Sequence, residues 1–246
     1  MKRFVIVLSA LVLGGTAMAV AMGKIDGMGK SHCWRYKMTI EINTPEGVKS
    51  GSAVREACLT PFQGYNPQVA DFKEKVIGEA VVVDLGERGV LFASSHPSTM
   101  IFDVARSIGG PRLFTQEGLE YYSNLEIGTK APLPEKQYPT LVIFKDLSNP
   151  KTIDIVLGTI FDSEKKKYMP VNNFSKYFGD GVGLKNIIIE VTNEPIQWRV
   201  RDILPWLDNY YDKQLDGSRH NFSGAKNPIA NRFGAGSFSS PRDKQK

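Results

Sequence analysis

Among the side chains able to do chemistry, the two cysteines are the most informative. Cys33 and Cys58 are the only thiols in the chain, and they bracket a segment, 34–57, with hairpin character. Two registers compete for it. Symmetric pairing about the point between Pro45 and Glu46 sets Cys33 opposite Cys58 and Arg35 opposite Glu56. A disulfide there would close the base of the hairpin and stabilise it by roughly 3 kcal/mol in the chain-entropy picture. Turn chemistry argues for a slip of one. Tight two-residue loops favour primed turns with φ > 0, which Pro45 cannot adopt. A three-residue loop with Gly47 in the left-handed region pairs Trp34 with Cys58 and turns the cysteines to opposite faces. Cys33 and Cys58 are the disulfide candidate, with two free thiols as the alternative.

The three histidines are His32, His96 and His220. His32 adjoins Cys33, a pair able to hold a metal, yet no two further ligands follow at a zinc spacing. In Ser94-Ser95-His96-Pro97-Ser98, hydroxyls adjoin a histidine. A nucleophile and its base must converge in space, which sequence neighbours seldom do. No Gly-x-Ser-x-Gly elbow occurs, and a helix capped by Ser98 explains the run without catalysis. Gly179-Asp180-Gly181-Val182-Gly183 has phosphate-loop composition. It leads into a strand, whereas a phosphate cradle opens a helix, so it reads as a turn. The acids Glu117, Glu120, Asp154, Asp162 and Glu164 are scattered, and Lys165-Lys166-Lys167 reads as a solvated loop. These residues nominate no catalytic, cofactor-binding or metal-ligating set.

The elements that would position such side chains are mostly strands. Trp34, Tyr36, Met38, Ile40 and Ile42 alternate with Arg35, Lys37, Thr39 and Glu41, the period-two signature of a strand with one buried face. A turn at 44–47 returns the chain. A second hairpin is expected from strands at 76–85 and 90–93 about the turn 86–89, and a third from 140–144 and 152–157. The run 140–144 is apolar throughout, as in a strand buried on both faces. Residues 184–192 form another strand. Residues 68–75 read either as a short helix entered from Asn66 and Pro67 or as the approach to a strand. Ile101, Val104, Ala105 and Ile108 predict a helix stopped by Gly109-Gly110. Thr115 caps a second through Leu125, weakened by Gly118. Phe174 to Phe178 is ambiguous, and a short helix is expected near Pro205-Trp206-Leu207. Residues 127–139, with Gly128, Pro132, Pro134 and Pro139, read as linker or surface loop and as the one candidate domain boundary in mid-chain. The fold expected is mainly β, a β-rich α+β arrangement of antiparallel hairpins in a sandwich or curled sheet with two or three short helices.

Charge is concentrated at the ends. The formal net charge is +5. Lys2 and Arg3 begin the chain. From Asp216 to the end, Arg219, Lys226, Arg232, Arg242, Lys244 and Lys246 face Asp216 and Asp243, leaving a body of net charge −1 between two basic ends. The body therefore lacks the basic stripe of a nucleic-acid binder. Met1-Lys2-Arg3, an apolar run from Phe4 to Leu13 and the small-x-small site Ala17-Met18-Ala19 predict a signal peptide over 1–19, with an uncleaved anchor as the alternative. A flexible lead-in at 20–32, one domain at 33–215 and a disordered basic tail at 216–246 complete the expected layout.

The string Trp34-Arg35-Tyr36-Lys37-Met38-Thr39-Ile40-Glu41-Ile42-Asn43-Thr44-Pro45-Glu46-Gly47, with Gly51-Ser52-Ala53-Val54, is similar to a segment of uncharacterised exported proteins of proteobacteria. Gly78-Glu79-Ala80-Val81-Val82-Val83-Asp84-Leu85-Gly86, Val90-Leu91-Phe92-Ala93 and Leu204-Pro205-Trp206-Leu207 resemble that family too. The resemblance implies an envelope location and a shared β-rich domain, and carries no site residue.

The functional expectation is an exported envelope module, periplasmic or secreted, that binds or assembles and has no enzymatic role. Its partner would be a protein or envelope component, with no cofactor and no nucleic acid. Membrane contact is expected only if the signal segment is uncleaved. A periplasmic hydrolase centred near Ser94 to Ser98 and a membrane-anchored accessory subunit are the alternatives. The tail, with its bases and spaced Phe residues, reads first as a solvated disordered end, and could otherwise meet an acidic partner, a polyanionic envelope surface or nucleic acid.

Overall fold

The alternation at 34–42 sets the architecture. The chain, seen as a computed structural model, is described over residues 29–64, 70–94, 97–162 and 165–241. The expected signal segment, Asn66 and Pro67, Ser95 and His96, Ser163 and Glu164, and residues 242–246 lie outside these. Strand β1 (His32–Thr44) buries Trp34, Tyr36, Met38, Ile40 and Ile42, and β2 (Gly47–Gln63) runs back beside it. Each such buried apolar side chain contributes about 1.5–3 kcal/mol. Their outer faces carry half-exposed charges in cross-strand pairs, among them Arg35–Glu56 at 2.6 Å, which contribute little individually.

The symmetric register holds. Cys33 faces Cys58, Thr44 faces Gly47, and the two cysteines form a disulfide. The objection from Pro45 is met at Gly47. Pro45 and Glu46 both keep negative φ, and Gly47 at φ 120° takes up the mismatch of twist. The Thr44 hydroxyl donates to the Gly47 carbonyl at 2.7 Å.

Strands β3 (Ala70–Ile77), β4 (Val81–Asp84) and β5 (Val90–Ala93) correct the second hairpin. The expected strand 76–85 is two strands in two sheets. β3 pairs with β2, and the chain crosses at Gly78, Glu79 and Ala80 so that β4 pairs with β5. Of the stretch 68–75, residues 70–75 take the strand alternative. The expected first helix is broken into α1 (Pro97–Met100) and α2 (Asp103–Ile108), so Ser98 falls inside α1 instead of ahead of the helix. α3 (Gln116–Ser123) is capped as expected: the Thr115 hydroxyl accepts from Gly118 N–H at 3.1 Å. Gly118 is required there, since a Cβ would lie 2.0 Å from the Arg112 carbonyl oxygen.

The proline-rich stretch at 127–139 is corrected as well. Lys130–Pro132 forms strand β6 on β10, with Pro132 at the sheet edge where a missing N–H costs no ladder bond. β7 (Leu141–Phe144) and β8 (Ile153–Asp162) make the third hairpin, followed by β9 (Lys167–Asn172), α4 (Phe174–Phe178) and β10 (Gly183–Val191). One sheet runs β3-β2-β1-β10-β6 and the other β4-β5-β7-β8-β9, with every pairing antiparallel. α5 (Val200–Ile203) and α6 (Pro228–Arg232) follow. No helix among the described residues is long and apolar enough to cross a membrane.

Two cores result. The larger joins the inner faces of both sheets with α1–α3, including Trp34 stacked at 5.8 Å on Tyr122. β7 is buried on both faces: Leu141 and Ile143 enter this core, while Val142 and Phe144 enter the second. That second core is closed by the segment expected to be a disordered tail. Residues 216–241 fold back, and Ala230, Phe233, Ala235 and Phe238 cover Phe92, Val142 and Phe144. The spaced Phe residues supply apolar area that a composition of Gly, Ser and bases conceals. Glu79, only 2% exposed, holds the cover in place. Its carboxylate accepts from the N–H groups of Arg199 and Val200 at 2.5 and 3.0 Å and from the Ser239 hydroxyl at 3.1 Å.

Candidate functional site

β2 presents Ala53, Arg55 and Ala57 to the same side as Met38, Tyr36 and Trp34, because those are their register partners. The small alanines flank a guanidinium with no solvent exposure. Arg55 Nε donates to the Glu79 carbonyl at 3.0 Å, and Nη1 lies 3.3 Å from Asp103 Oδ2 and 3.4 Å from Met38 Sδ. Asp103 opens α2, where the break after α1 aims its carboxylate inward. Tyr36 Oη stands 2.9 Å from both Asp103 Oδ2 and the Met100 carbonyl oxygen. One hydroxyl proton faces two acceptors, so the three groups share a coupled network. Burial pushes the Asp103 carboxyl above its ordinary range, against the pull of the Arg55 charge. Burial and then the Asp103 charge push the Tyr36 phenol well up.

This network floors a cleft of about 410 Å³. Thr99 and Met100 from α1, Ser94 after β5 and Tyr138 to Thr140 before β7 form its walls. Three more cations reach it: Arg106 from α2, Lys136 and Arg232 from α6. Arg106 stacks over Phe102 at 4.9 Å, and Arg232 Nη1 donates to the Thr159 carbonyl at 2.6 Å. Arg106, Lys136 and Arg232 thus reach the cleft, and its one carboxylate among the described lining residues, Asp103, is already paired with the buried Arg55. A cavity with low-dielectric walls and one sign of charge in excess focuses its field on ions of the other sign. The chemistry this permits is capture of an anion.

The residues singled out by sequence are used otherwise. Ser94 lines the cleft, but its hydroxyl and its N–H both donate to the Thr140 carbonyl, at 3.0 and 2.9 Å. His96 lies outside the described residues. His32 pairs with Leu59 at the start of β1, and His220 is exposed in the C-terminal segment. Among the described residues no three His, Cys, Asp or Glu side chains gather as metal ligands. Asp154 accepts from Lys145 at 3.0 Å and from Tyr177; Asp162 pairs with Lys165; Glu117 and Glu120 lie exposed on α3. The 179–183 glycine stretch is the turn into β10, as its composition suggested. Arg55 and Asp103 escaped sequence reading. One signal was present: in the symmetric register Arg55 faces Tyr36, a residue on the buried face. Comparison with protein-family models, with curated proteins and with solved structures gives no match.

Proposed function

We propose that the protein is an exported envelope protein, periplasmic and without an enzymatic role, that binds an anionic group in the cleft above Arg55. One observation carries this reading: Arg106, Lys136 and Arg232 reach a cleft whose one carboxylate among the described lining residues, Asp103, is already paired with the buried Arg55. The signal-like N-terminus, the resemblance to exported proteobacterial proteins and the Cys33–Cys58 disulfide support the compartment, since disulfides persist in oxidising surroundings. Titration calorimetry with inorganic phosphate at about 20 mM ionic strength, where such fields are least screened, tests the binding. Heat of binding that Arg106→Glu with Arg232→Glu weakens by about tenfold or more is the expected outcome. Equal affinity in the double variant, or no heat at all, refutes it.

A further inference from the structure

The cleft shares two of its lining residues with a neighbouring hollow. Arg232 and Ser237 line it on one side and, on the other, line a second hollow of about 600 Å³. That hollow adds Lys213 and Arg219, with Asp212 as its one carboxylate among the described residues. Lys213 Nζ sits 4.9 Å over the Tyr210 ring. Its other lining residues include the amides Gln214 and Asn221 and the backbone at Gly234 and Gly236. Above the buried Arg55–Asp103 pair, the two hollows present Arg106, Lys136, Arg232, Lys213 and Arg219 against Asp212 among the described residues.

Cations strung along a groove fit negative groups strung along a chain, whereas one small anion fills only one end. The spaces between the charges hold amides and the Tyr138 and Tyr210 rings, which match hydroxyls and sugar faces. We infer that the two hollows form one groove, with Arg232 at its midpoint, for an extended acidic glycan. This rests on the anion-binding reading of the cleft and names the class of its ligand. The negative groups, carboxylate or phosphate, share the same chemistry of recognition.

Gly236 offers a plug. A Cβ built there meets nothing within 4 Å, and its φ lies outside the region that excludes side chains. Gly236→Phe fills the second hollow and leaves the first cleft intact. Where its melting curve differs from that of the wild type, Lys213→Ser with Arg219→Ser replaces it.

The experiment measures binding of galacturonic acid, tetragalacturonate, tripolyphosphate and tetraglutamate to the full chain at fixed low ionic strength. Tetragalacturonate binding at least about tenfold tighter than the monomer exceeds the fourfold statistical gain of four equal groups and is the expected result. Gly236→Phe removes that gain and leaves monomer affinity unchanged. Tripolyphosphate, which has no sugar face, binding more tightly than tetragalacturonate overturns the glycan assignment. Chain-length independence, or a gain that survives the plug, overturns the groove while leaving the anion cleft standing. A gain as large with tetraglutamate overturns the glycan assignment. If no probe binds, both the cleft reading and the groove fall together.

Discussion

A guanidinium with no solvent exposure needs a carboxylate beside it, and Asp103 is that carboxylate for Arg55. Asp103→Ala leaves the buried charge without this counter-ion and takes an acceptor from Tyr36. A loss of about 3–5 kcal/mol, read by urea unfolding, is expected; a loss under about 1 kcal/mol would mean that water reaches Arg55 freely. The proton on Asp103 adds a pH signature. Its ordinary value is 3.8, and burial holds the native value higher. The native state therefore keeps a proton that the unfolded chain releases. That contribution is full below about 3.8 and is lost as pH rises through the native value. As pH rises above about 3.8, Asp103→Asn is expected to gain Tm relative to wild type. Parallel curves count against the assignment. Glu79, also raised by burial, acts in the same direction, while Glu46, Asp146, Asp154 and Asp216, held below their ordinary values, act in the opposite one.

At the scale of elements, the β1–β2 hairpin carries the disulfide at its open end. Replacing Cys33 and Cys58 with serine is expected to cost roughly 3 kcal/mol, because the bridge closes a loop with a sequence separation of 25. Chemical denaturation with and without reductant measures it, and unchanged midpoints would sink the estimate. The hairpin itself was legible because alternation is local, but its register was not, because the turn residues argued for a slip of one that the structure does not take. β7 was legible for the same reason, its unbroken apolar run matching burial on both faces. The crossing at Gly78 was not, because Val76 to Leu85 keeps one apolar texture while its two halves pair with different partners. β6 was hidden by its prolines, which read as loop until an edge position makes them harmless. The site was hidden for a related reason. Arg55 and Asp103 lie 48 residues apart, and neither forms a motif. Only the sheet register and the break between α1 and α2 bring them together.

At the scale of the molecule, the second sheet depends on residues far downstream. Phe92, Val142 and Phe144 are covered by 215–238, and Glu79 bonds Ser239 across 160 positions. Deleting 216–246 is expected to bare this apolar face, giving a chain that binds a hydrophobic dye strongly, loses near-ultraviolet dichroism and aggregates. A truncated chain with the full chain's Tm and no dye binding would show the segment to be dispensable. The same deletion removes Arg219 and Arg232, so cover and cations are lost together.

The bond from Glu79 to Ser239 also has a consequence in time. A polypeptide is made from its N-terminus, so the β1–β2 hairpin can pair while most of the chain does not yet exist. The outer face of the β4-β5-β7-β8 sheet is covered in part by Val200, Leu204 and Trp206, and its cover is complete only when residues near 238 emerge. The last turn of this fold therefore closes after synthesis has passed it, and the slowest contacts to form are those of highest sequence separation. A nascent chain stalled short of that point carries a finished first core and a second face covered only in part. That is the state a chaperone, or a translocation channel that needs unfolded cargo, would meet.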